Sequence, residues 1–177
     1  MNNRSGKPPT SPDVLADPRA SLYIHEASHA AVALHFQTPC VTVEISANQK
    51  GGVIAGGASG RNPVESSFRI ICIAEAGAVG ERLFGLSEND TLDGADARRA
   101  DDEAKRLHGL ESTSAKRAAT IKKARREAAR ILRYQREAVI QIATLLRDFD
   151  RLGTTVRDAG RRFTDRPKSD LKYPLGY

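Results

Sequence analysis

From Ile121 to Leu146 apolar residues return every three or four positions, through Ala124, Ala128, Ile131 and Leu132, Val139 and Ile142, with Gln135 on the same line. This is the period of an α-helix with one apolar face, sustained for about seven turns. A stripe of that length is unfavourable in water and must lie against other elements, so the expected fold is mainly α. The remaining composition agrees with a globular chain, at 40% hydrophobic and 28% charged residues, and 177 residues suit one domain. No apolar stretch approaches the ~18 residues that a membrane span needs. The opening MNNRSGKPPTSPD has no apolar run after Arg4, so no secretory signal is expected and the chain reads as cytoplasmic. Cys40 and Cys72 are too few and too far apart for a disulfide framework or a paired-cysteine metal site, and read as small buried hydrophobes.

Residues 1–16, with Pro8, Pro9 and Pro12, read as a flexible arm, 17–163 as the folded domain and 164–177 as a loosely structured tail. Asp17-Pro18 offers a cap and a first-turn proline for a helix through the Ala-rich run Leu22 to Phe36, stopped at Thr38-Pro39. Val41, Val43 and Ile45 alternate with polar residues, and a turn near Asn48–Gly51 precedes Val53-Ile54-Ala55, which together predict a small β-hairpin. Asn62-Pro63-Val64-Glu65 resembles a capping box, opening a largely buried helix that Gly85 ends. Asp93 is a plausible cap for a helix over Gly94–His108, closed by Gly109, and a short helix is expected after Thr154-Thr155.

The first helix carries His25-Glu26-Ala27-Ser28-His29. Residues four apart stand one turn above each other, so both imidazoles can face one ion while Glu26 lies beside them to hold a water. Zinc suits two neutral imidazoles, and a catalytic site adds one more protein ligand and leaves a position for water, whose pKa falls to about 7. Glu26 is then the candidate general base. His35, six residues after His29, has the spacing of the elongated H-E-x-x-H-x-x-G-x-x-H motif. That motif needs a glycine turn where this chain has Val32, among Ala30, Ala31 and Ala33. Continued helix puts His35 roughly 9 Å along the axis and about 120° round from His29, out of reach. The carboxylates Glu75, Glu81, Asp90, Asp93 and Asp96 remain. Glu75 interrupts the apolar run Ile70–Val79 and needs a cation or several hydrogen bonds; Asp96 shares a helix face with Ala100, Ala104 and Leu107. Spacing alone leaves the two even.

These residues resemble the peptidase domain of FtsH-type zinc metalloproteases. His25-Glu26-Ala27-Ser28-His29-Ala30 is similar to that family's HEAGHA motif, and Ala76–Gly85 to its GGRAAEELxFG segment. Gly94-Ala95-Asp96-Ala97-Arg98-Arg99-Ala100 is similar to its GAxxDLxxAT segment, and Arg125 to Asp148 to its long helix. The likeness spans roughly residues 20–160. It implies a zincin-like helical bundle with a small β element whose edge can take an extended peptide. It also implies a zinc cofactor held by His25, His29 and Asp96, with Glu26 as catalytic base, and endopeptidase activity on unfolded protein. Ser28 stands where the family has glycine, Gly94-Ala95-Asp96 is two residues tighter, and Glu75 occupies a normally apolar position. Nothing in the chain resembles a Walker loop, so the expected substrates are flexible segments, with a separate ATPase or adaptor as a possible partner.

Residues 98–136 hold thirteen Lys/Arg against five acids. Such a face attracts nucleic acid or acidic protein, although Tyr134 is the one aromatic there for base stacking. A second expectation is therefore a basic helical binding module that keeps the fold without activity. Salt-dependent binding distinguishes it from the enzyme.

Overall fold

A computed structural model of the chain describes residues 12–38, 40–45, 51–55, 62–88, 94–149 and 151–152. The protein is mainly helical. In chain order the elements are α1 (Pro12–Leu15), α2 (Ala20–His35), β1 (Cys40–Ile45), β2 (Gly51–Ala55), α3 (Pro63–Leu83), α4 (Gly94–His108), α5 (Ser114–Tyr134), α6 (Arg136–Phe149) and β3 (Arg151–Leu152). The expected cap at Asp93, the hairpin turn, the helix after Thr154 and the tail lie outside the described residues.

Two helices form the centre because their side chains are small enough to be enclosed on every side. Along α2 every residue from Glu26 to Ala33 is buried, and along α3 every residue from Ile71 to Gly80. They pack on each other; α4 and α5 cover the outer flank of α3, while α6 and the sheet cover α2. Tyr23, Ile24, Ile71, Ile131, Leu132, Ile142 and Leu146 fill the space between them. Burying each such side chain contributes about 1.5–3 kcal/mol before entropy is counted.

The helix ends follow local chemistry. Asn62 Oδ1 accepts from the Glu65 N–H at 2.8 Å, as the capping pattern predicts. Gly85, at φ 74°, takes the left-handed position after α3, and the Gly85 and Leu86 N–H groups close onto the carbonyls of Arg82 and Glu81. Gln37 performs the same turn after α2 at φ 55°, with the Thr38 N–H reaching the Ala33 carbonyl at 3.0 Å. The start of α2 differs from expectation. Asp17 Oδ1 accepts from the Arg19 N–H at 2.7 Å, which makes a turn of residues 17–20 and delays the helix to Ala20.

Three further differences are tertiary in origin. The stripe from Ile121 to Leu146 is two helices, broken at Gln135, because α5 lies on α3 whereas α6 must cross to α2. The arm expected over 1–16 includes the helical turn α1, whose Val14 is buried in the core. The hairpin is joined by β3 into an antiparallel sheet of order β2-β1-β3, with Val43 opposite both Val53 and Leu152. Cys72 is a buried free thiol, as expected. Among the described residues no helix is long and apolar enough to cross a membrane.

Candidate metal centre

His25 and His29 project from adjacent turns of α2, and Asp96 meets them from the first turn of α4. The two Nε2 atoms are 3.0 Å apart; Asp96 Oδ2 lies 3.3 Å from His25 Nε2 and 3.1 Å from His29 Nε2. The second nitrogen of each ring is engaged. His29 Nδ1 is 2.6 Å from the Ile73 carbonyl, which only accepts, so Nδ1 carries the proton and Nε2 presents a lone pair. His25 Nδ1 likewise donates to Glu81 Oε1 at 2.6 Å, and Ser21 Oγ donates to Glu81 Oε2 at 2.5 Å. A carboxylate or carbonyl on the far nitrogen is the arrangement that orients metal-ligating histidines.

Two imidazole lone pairs and a carboxylate oxygen so close together repel unless positive charge lies among them. The His25 pKa registers this demand. Burial acts to lower it, but hydrogen bonds to Asp96 and Glu81 outweigh burial and push it up to about 10. Asp96 is held well below the usual carboxylate range, its burial overcome by the bonds to His25 and His29. Glu81 is also lowered against its burial, by His25 and Ser21. The spacing fits a small cation: a tetrahedral centre with ligands about 2.05 Å away has edges of about 3.3 Å. His25, His29 and Asp96 therefore form a group that can hold a metal ion.

The frame around the group is tight. A Cβ at Gly77 on α3 would lie 2.5 Å from both Cε1 and Nε2 of His25, so only glycine leaves room for the ring. Three residues on, Gly80 faces Ser28, whose Oγ donates to the Ile24 carbonyl at 2.7 Å. Glu26 is buried on α2 at 5% exposure, about 100° round the helix from His25.

The other candidates are placed elsewhere. Glu75 is fully buried and faces α5, where Arg125 Nε donates to its Oε2 at 2.6 Å; the cation it requires is a guanidinium, and it is not part of the histidine group. His35 continues the helix, as Val32 implies, and its Nδ1 accepts from Gln135 Nε2 at 3.4 Å. Burial, with Arg130 and Arg69 nearby, pushes the His35 pKa down to about 4. Asp90 and Asp93 lie outside the described residues. The orienting role of Glu81 was missed by sequence reasoning because it depends on which α3 face abuts His25; Glu81 is four residues after Gly77, on that face. The chain matches no protein-family model and no curated protein sequence.

Proposed function

We propose that the chain is a zinc-dependent metalloendopeptidase of the FtsH-type peptidase class, hydrolysing peptide bonds in unfolded or flexible protein segments. The observation that carries the reading is the convergence of His25 Nε2, His29 Nε2 and Asp96 Oδ2, each histidine oriented through its other nitrogen. Bound there, zinc would supply Lewis-acid polarisation of a peptide carbonyl and a water acidified to a pKa of about 7. Glu26, beside His25 on the same helix, accepts the proton of the attacking water and returns it to the leaving amine. Glu81 and the Ile73 carbonyl keep both rings in the Nδ1–H form throughout. Among the described strands β2 lies at an edge of the order β2-β1-β3 and packs on α2, which supports binding of an extended substrate by strand addition.

The test is elemental analysis of the purified protein alongside Asp96→Ala and Glu75→Ala, followed by cleavage of a denatured casein substrate by Glu26→Gln. The expected result is about one zinc per chain, lost in Asp96→Ala and kept in Glu75→Ala. Removing the base should cut turnover by about 10²–10⁴-fold with zinc retained. Unchanged cleavage by Glu26→Gln refutes the mechanism.

A further inference from the structure

On the flank of α3 facing away from the histidines, α5 and the end of α3 enclose a cleft of about 560 Å³. It is lined by five cations, Arg82, Lys122, Arg125, Arg126 and Arg133, and by the apolar Ala118, Ile121 and Ala129. Many basic residues elsewhere on α4 and α5 are committed to carboxylates, as in Lys105 to Asp101, Arg106 to Glu103 and Arg130 to Glu127. Lys122, Arg126 and Arg133 are exposed and make no ion pair with a described carboxylate. Arg125 differs, since it lines the cleft while holding Glu75.

From Ala118 to Arg133 the lining positions follow one side of α5 for about four turns, or roughly 22 Å. That length exceeds a single phosphate and suits an elongated polyanion. Two features separate the possible polyanions. The lining contains no aromatic side chain for base stacking, and it includes the apolar Ala118, Ile121 and Ala129, which a sugar-phosphate backbone would leave unused. An acidic amphipathic helix uses both kinds of lining, its apolar face on Ala118, Ile121 and Ala129 and its carboxylates against the cations. We infer that this cleft docks an acidic amphipathic helical segment of a partner protein. Glu75, which faces the cleft through Arg125, and Gly77, which faces His25, are about 200° apart around α3, so the docked segment leaves the metal group open.

The experiment is fluorescence anisotropy with a labelled amphipathic Glu/Leu helix of about 20 residues, compared with polyglutamate of the same length and a duplex DNA of about 20 base pairs. The Glu/Leu helix should bind most tightly and weaken at least about tenfold between low and moderate salt. Lys122→Glu with Arg126→Glu should weaken it at least about tenfold, and the milder Lys122→Gln with Arg126→Gln by less, both with unchanged circular dichroism and zinc content. Arg99→Glu with Lys116→Glu makes the same charge change outside the cleft and should cost less than about threefold. Equal losses in the two reversed pairs would reduce the effect to net charge and overturn the site. Tighter binding of DNA or of polyglutamate, or no binding at about 100 µM, would overturn the assigned partner.

Discussion

Gly77→Ala offers the sharpest separation of the metal frame from the fold. The added Cβ would lie 2.5 Å from His25 Cε1 and Nε2 and 2.7 Å from Nδ1. Ordinary carbon contacts begin near about 3.5 Å, so the ring must retreat by about 1 Å. It cannot do so and stay in register, because Glu81 holds Nδ1 at 2.6 Å and His29 Nε2 lies 3.0 Å from the other nitrogen. Metal–ligand distances tolerate only about 0.2 Å, so zinc affinity should fall by roughly 100-fold or more. Fold stability moves less. Alanine in a helix interior gains about 1 kcal/mol over glycine, whereas overpacking costs about 1–3 kcal/mol, leaving a net loss of about 0–2 kcal/mol. Competition of the protein with a chromophoric chelator for zinc measures the first quantity, and urea unfolding of metal-free protein the second. A variant that binds zinc as tightly as the parent would refute the reasoning, since His25 would then not need the space that glycine leaves.

Glu81→Gln keeps the shape of the His25 partner but removes its charge, and should weaken zinc binding by about 10–100-fold without changing stoichiometry at saturating zinc, as read by the same chelator competition. Arg125→Ala strips the guanidinium from a carboxylate that is wholly buried and should cost about 3–5 kcal/mol in urea unfolding; Glu75→Gln should cost less, because the Arg125 side chain is 31% exposed and can turn to water. Equal costs would contradict that asymmetry. His35 titrates near 4 in the folded protein against an ordinary 6.5, so the unfolded chain takes its proton first as pH falls. The stability contributed by His35 is therefore full above about pH 7 and is lost between about 6.5 and 4, with about 2 kcal/mol gone by pH 5. Urea unfolding at pH 7 and pH 5 should show that share missing in His35→Gln, and an undiminished pH dependence in the variant would refute it.

What the sequence made legible is what local chemistry decides. The Asn62 cap, the Gly85 stop, the span Gly94–His108 and the pairing of His25 with His29 all rest on contacts within one or two turns. The break at Gln135 could not be read, because no proline or glycine marks it and the apolar period continues through it; it exists because α3 and α2 each need a covering helix. Strand β3, two residues long, is too short to show alternation. Asp96 and Glu75 were even candidates by spacing, since neither choice depends on anything within its own helix. Of the two partners expected for Glu75, a cation or several hydrogen bonds, the structure supplies a cation, Arg125, fifty residues away on the far side of α3.

The same pairings bear on the positions where the chain departs from the motifs it resembles. A serine at position 28 puts bulk into the α2 and α3 contact, where a Cβ at Gly80 would come within 2.7 Å of the Ser28 Cβ. Glycine at position 80 makes room for it, and the Ser28 hydroxyl turns back onto its own helix at Ile24. A carboxylate at position 75 would be prohibitive in an apolar core, and Arg125 on the facing helix neutralises it. The tighter Gly94-Ala95-Asp96 segment still delivers Asp96 Oδ2 to within 3.3 Å of both imidazole nitrogens. The first two departures are each met by a neighbour, Gly80 for Ser28 and Arg125 for Glu75, and with the third in place the three ligand atoms lie within 3.3 Å of one another. The ligand distances are therefore met with Ser28, Glu75 and the short Gly94-Ala95-Asp96 segment all in place, which supports a metal-binding reading of this chain.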